Sequence, residues 1–512
     1  MGLKKSKFEF SLAGTLYSSS GPKFTNRDPD YSGSYVNRAY SFNGIVSYYT
    51  KTTKTSLGFR EYNTPMGWGT YANSPTTYLG LPSQGYNNVG TIGILARNIR
   101  GEKSGLDDPF LRTFFIQNDF KPNEKFNLLT RVVYRETGNA DDSYIYVTTD
   151  GTKLIRAIVA TYSNRISGEI SSNYALAKNQ KISAGIEVYQ DNVEAGSRGT
   201  TVDLNTIYLL DGRDTLLNLY STFLPRKFDI RNNFGSYAQY VLNTNILGKT
   251  NFTVGGRYDY NSYFGSAVSP RVAIVNQLND KLTLKFQFGT AFRAPTNLEI
   301  YQANAGNFQL KKEKIKTYEL NAIYVFSKNI RAQVNLFRNE LSDVIVIGSL
   351  SGLNPNKNPG VQTTNGAEAV VDMIFSNKIS GFLNFTYQDA TGENLVTNYK
   401  GPIPGVAKVK GNAGLTAHVE DLFTVSLIGN WIGTRQSPRT DPYGPVAGYF
   451  LTNCVLSTGK LFNTGIVASI NVQNIFNTKW MDPGFRTADG LLYSTVLEQP
   501  GINVLFKVGI NF

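Results

Sequence analysis

The stretch NFTVGGRYDYN (Asn251–Asn261) decides how this chain folds. Phe252, Val254, Tyr258 and Tyr260 alternate with Asn251, Thr253, Arg257, Asp259 and Asn261. Successive side chains on a strand point to opposite faces, so this segment has one apolar face and one polar face. The pattern continues to Leu336 through five or six consecutive strands. Leu282, Leu284, Phe286 and Phe288 alternate with Thr283, Lys285 and Gln287; Tyr318, Leu320, Ala322, Tyr324 and Phe326 alternate with Thr317, Glu319 and Asn321. Three features favour a membrane barrel over a soluble sandwich. The strands reach the ~10 residues that a tilted strand needs to cross a bilayer. Their polar face carries whole charges, which a dry core rejects. Tyr and Phe cluster near strand ends, where an aromatic girdle lies.

The same rhythm extends in both directions. Strands are expected over 34–50 and 55–62, 110–120 and 126–135, 366–375 and 379–387, and 423–431. Short polar turns such as Lys51–Lys54 and Ser376–Lys378 alternate with long Gly-, Asn- and Pro-rich segments such as Asn63–Asp108 and Gln190–Asn232. Outer-membrane barrels show this asymmetry, with short periplasmic turns and long extracellular loops. The count comes to about 20 strands, with two more concealed in the long segments or a first hairpin absent. The chain ends on GINVLFKVGINF, whose alternation marks a last strand. The expected fold is all-β: one large antiparallel transmembrane β-barrel of about 20–22 strands spanning residues 1–512.

Composition agrees. The 512 residues include 48 Gly and 13% aromatics, which suits many strands joined by turns. No linker or composition break divides them, and no apolar run approaches a transmembrane helix. One cysteine, Cys454, excludes an intrachain disulfide and a thiolate metal cluster. One histidine, His418, leaves a Ser-His-Asp triad a single candidate next to a turn, and no G-x-S-x-G elbow accompanies it, so catalysis is not expected. The net charge of +13 suits a lipopolysaccharide-bearing surface or an anionic ligand. No basic run interleaved with aromatics and no nucleic-acid module is present, so nucleic acid is not an expected partner. The start, MGLKKSKFEFSLAG, has no apolar h-region and does not read as a signal peptide.

Four strings in order, GGRYDYN (Gly255–Asn261), SPRVAIV (Ser269–Val275), FGTAFRAPTNLEIY (Phe288–Tyr301) and LKKEKIKTYELNAIY (Leu310–Tyr324), resemble successive strands and loops in the barrel of TonB-dependent outer-membrane receptors. NVQNIFNTKW (Asn471–Trp480) resembles that family's penultimate strand. The resemblance runs from about Phe234 to Phe512. It implies a monomeric receptor in the bacterial outer membrane, with no cofactor. Such a receptor takes up a scarce nutrient: a ferric siderophore first, with cobalamin, haem or an oligosaccharide as alternatives. The family also carries a plug domain and a TonB box through which the TonB complex acts. No stretch here resembles either, so the chain reads as the barrel part of a longer receptor. The rival is a passive, plugless porin-like channel.

Candidate residues follow from parity and from the resemblance. Arg257, Asp259, Arg271, Arg293 and Glu319 fall on the polar parity of their strands, and Glu313 precedes one of them. In a closed barrel they face the lumen, where they pair with one another across strands or contact a plug. The family holds its ligands with outward loops and plug apices. That points to aromatics in the long segments: Trp68, Tyr71, Tyr78, Tyr86, Tyr443, Trp480 and Phe485. Such rings suit a catecholate, a haem-like chelate or a sugar.

Overall fold

The computed structural model describes the chain apart from residues 1, 20–34, 68–104, 140–143, 149–152, 159–160, 196–200, 210–213, 216–226, 297–298, 301–306, 308, 347–356, 395–398, 420–421, 438–443, 460–464, 484–495 and 511–512. Nineteen successive antiparallel pairings link twenty strands, from Phe8–Ser19 to Asn503–Ile510. The short strand Gly2–Lys5 adds to Phe8–Ser19. The central block forms five of the twenty: Lys249–Asn261, Gly265–Gln277, Leu282–Arg293, Glu313–Ser327 and Ile330–Val346. All five exceed the length needed to cross a bilayer.

The alternation has the consequence that the sequence predicts. Val254, Tyr258, Leu320 and Leu383 stand exposed on one face of the sheet, each about half accessible. Their neighbours on the other parity are partly covered by one another. A sheet this large that exposes its aliphatic residues is out of place in water and in place in lipid. Short connections such as Ala177 to Gln180, Ser327 to Ile330 and Ser376 to Ile379 lie at one edge. At the other edge the strands run further than the alternation alone predicts, for example Lys357–Ser376 and Ile379–Asn394.

Among the described residues, short strands also pair beyond the wall, at or near the two long segments. Met66–Gly67 pairs with Gly105–Asp107, which pairs with Tyr144–Thr148; that strand pairs with Lys153–Ile158, and Lys153–Ile158 with Thr201–Leu209. These pieces form a second tier above the wall on the long-loop edge. The penultimate strand is Ile466–Gln473; it ends inside the stretch Asn471–Trp480, because Asn474 and Asn477 turn the chain in the left-handed region that asparagine tolerates. The Asn474 side chain fixes that turn by accepting from Thr478 N and donating to Thr478 O.

The two end strands are accessible on both faces: Leu16 is 84% exposed and Leu505 62%. Among the described residues no ladder joins Asn503–Ile510 to Gly2–Lys5 or Phe8–Ser19.

On the inner face, large rings lie flat across glycines of the neighbouring strand. A Cβ on Gly366 would sit 2.3 Å from the Phe337 ring, and one on Gly414 2.2 Å from the Phe382 ring. Glycine is required there because only a missing side chain lets the ring rest on the wall. Gly366→Ala is expected to push Phe337 off the wall at a cost of about 1 kcal/mol, at the lower end of overpacking effects. Folding titration in lipid vesicles checks this, and an unchanged midpoint would contradict it.

Candidate functional site

The inner face between Thr53–Asn63 and Glu313–Ser327 is lined with matched charges. The polar parity of each strand aims its charged side chains at the same parity of the next, so pairs form across the sheet. Arg131 meets Glu169 at 2.8 Å. Arg165 grips Asp191 through two bonds of 2.5 and 3.0 Å and lies 4.1 Å over the Tyr189 ring. Arg257 binds Asp259 at 2.8 Å, two residues along its own strand, and reaches Glu187 at 3.2 Å. Arg231 is buried, pairs with Asp229 at 3.2 Å and stacks over Tyr263. Each of these four guanidiniums has a carboxylate beside it. This part of the wall is therefore a hydrogen-bonding surface with fixed, paired charges.

Of the residues singled out in the sequence, Arg257, Asp259, Arg271 and Glu319 come together. One cavity of about 420 Å³ is lined by Tyr237, Arg257, Asp259, Ser269 and Arg271. A second of about 490 Å³ shares Arg271 and adds Gln239, Thr253, Gln287 and Glu319. Arg271 hydrogen-bonds to Gln239, a neutral partner, instead of to a charge. Mutual pairing thus holds for Arg257 with Asp259 and for Arg293 with Glu313, but not for Arg271.

Arg293 and Glu313 belong to a separate arrangement at the end of strand Leu282–Arg293, where the long connection begins. Arg293 donates to Glu313 and makes two bonds of 3.0 Å to Glu299. Glu299 also accepts from Thr296 N at 2.7 Å, and Thr296 Oγ1 accepts from Glu299 N, the reciprocal pairing of a capping box. Glu313 accepts from Ile345 N at 2.7 Å. Ile300, fully buried, and the buried Leu310 and Ile345 form a small apolar knot here. One arginine thus latches the 294–312 connection to two strands.

Burial works to raise the Glu299 carboxyl, but the bonds from Arg293 and Thr296 outweigh it and hold the group below the usual carboxylate range. A folded value below the unfolded one gives stability that is present above the ordinary carboxylate pKa and is lost as pH falls through the lowered value. Exchange of the Thr296 amide, corrected for its intrinsic pH dependence, is expected to accelerate below about pH 4. Protection that is flat down to pH 3 would contradict the latch.

The aromatic candidates fare differently. Trp68, Tyr71, Tyr78, Tyr86, Tyr443 and Phe485 lie outside the described residues. Trp480 is described, and its ring is already engaged: Nε1 donates to Pro500 O at 3.0 Å, and the ring packs 4.7 Å from Tyr449. Beside it Arg435, 5% exposed, bonds Asp482 and Met481 O, tying two connections together. Arg165, Asp191 and Glu187 did not stand out in the sequence. Their even spacing along Thr161–Ala177 and Gln180–Ala195 was the available signal.

This arrangement, a long-stranded wall with lipid-ready and charge-paired faces, defines an outer-membrane barrel of the receptor type. The family model described as TonB dependent receptor-like, beta-barrel, matches residues 40–475, and the chain belongs to that family. The family and its solved members are receptors and transporters, not enzymes, and they place the chain in the bacterial outer membrane. An iron-regulated outer membrane virulence protein of Vibrio cholerae is 27% identical over 210 residues, 36% of this chain and 32% of that protein. The probable TonB-dependent siderophore receptor PirA of Acinetobacter baumannii is 31% identical over 146 residues, 24% of this chain and 19% of its own length. The chain thus spans a third or less of these relatives. Its fold matches the solved ferric enterobactin receptor PfeA of Pseudomonas aeruginosa with a TM-score of 0.71 and 15% identity, over 99% of this chain and 76% of that one.

Proposed function

We propose that this chain forms the barrel wall of an energised outer-membrane receptor that imports a ferric siderophore. The observation that carries the proposal is the inner face of matched charge pairs, from Arg131–Glu169 to Arg257–Asp259. A plug seated in the lumen can bond such a surface, because each pair presents charged donors and acceptors at fixed positions on the wall, and bonds to charged groups are the strong ones. The related proteins named as a probable siderophore receptor and a ferric enterobactin receptor support the substrate class. Arg257, Asp259, Arg271 and Glu319 are assigned to plug contact. Arg293 and Glu313 are assigned to holding a connection at the extracellular mouth. The TonB complex would act on the plug, and lipopolysaccharide would surround the wall.

Binding of a ferric catecholate chelate to cells that carry this gene tests the substrate. Saturable binding that is lost on deletion of the gene is expected. Unaltered binding in the deletion strain would contradict it. A passive channel would instead admit small solutes without saturation, and planar-bilayer conductance distinguishes the two.

A further inference from the structure

The inner face is not uniform around the wall. Five consecutive strands, Ile379–Asn394, Val409–Val419, Phe423–Ile432, Tyr449–Thr458 and Ile466–Gln473, abandon charge on their inward parity. Asn384, Asn412 and Asn430 stand opposite one another in register; Asn430 then faces Leu451, and Asn453 and Asn471 follow on the next two strands, each displaced by one same-face position. Asn412 donates to Asn384 at 2.9 Å, and Thr416 and Ser426 bond at the same distance. Among the described inward positions of these strands, Lys410 is the one formal charge.

The two sectors differ in what it costs to let go of them. Charge-assisted hydrogen bonds are roughly twice as strong as neutral ones. A plug held by both would therefore part first from the amide sector. There each broken bond is neutral, and free amides accept water or solute hydroxyls in its place. We propose that solute crosses the lumen along this amide-lined sector while the charge-paired sector keeps the plug seated. The solute it fits is a hydrogen-bonding chelate that meets Asn384, Asn412 and Asn430 side by side on the wall as it passes. The proposal rests on the receptor reading above.

The test uses cysteines as reporters in a Cys454→Ser background, expressed in cells that take up an iron-55 catecholate. Asn430→Cys reports the amide sector, and Thr253→Cys the charged one. A small charged methanethiosulfonate is added outside, with and without energised uptake, and labelling is read on the purified protein. Labelling of Asn430→Cys is expected to accelerate about tenfold during uptake, equivalent to about 1.4 kcal/mol. Cells labelled at Asn430→Cys should keep surface binding and lose uptake, while the labelling rate at Thr253→Cys should be the same with and without energised uptake. Equal acceleration at the two positions, or a larger one at Thr253→Cys, overturns the path. Absence of energised uptake in unsubstituted cells overturns the receptor reading instead.

Discussion

Phe286→Arg is expected to lose most of its folded yield, whereas Gln287→Arg is expected to assemble close to normally. The two positions are adjacent on strand Leu282–Arg293 and differ only in face. Phe286 is exposed on the apolar side, in register with Ile274 and Leu320. Gln287 lines the cavity that holds Arg271 and Glu319. An arginine at the first position meets lipid at a cost of about 2–4 kcal/mol near the bilayer midplane. At the second it meets water and a carboxylate. Folded protein in outer-membrane fractions, read by heat-modifiable gel mobility, measures both. Equal yields would overturn the assignment of faces.

Asp482→Ala is expected to destabilise more than Arg435→Met. Arg435 is almost completely buried, and its Nε already lacks a hydrogen-bond partner. Removing Asp482 leaves a buried guanidinium with Met481 O as its remaining acceptor at that end. Loss of a bond to a charged group costs about 1.5–3 kcal/mol. Removing the charge instead puts an apolar chain beside Tyr449 in place of the buried ion pair, which is milder. The double variant should therefore recover part of the loss from Asp482→Ala. Urea midpoints in lipid vesicles give the three values, and a double variant that is worse than Asp482→Ala would contradict the account.

The wall was legible because its code is local. Period-two alternation states the face of every residue, and Tyr258, Phe286 and Leu320 needed no tertiary information to be placed on the lipid side. Arg257 with Asp259 was legible for the same reason, since the partner lies two residues away on the same parity. Arg293 with Glu299 was not legible, because the partner lies in a connection whose path no alternation describes. Arg435 with Asp482 was hidden further, 47 residues apart and outside any long strand. The second tier of strands failed for a physical reason too. Segments such as Met66–Gly67 and Gly105–Asp107 are too short to carry a hydrophobic period.

The most direct measurement is iron-55 catecholate uptake in cells carrying this gene, with the proton-motive force intact and then collapsed. The account predicts that the chelate still binds the surface of de-energised cells but no longer enters. Entry at an unchanged rate after collapse would show a passive pore and contradict the account.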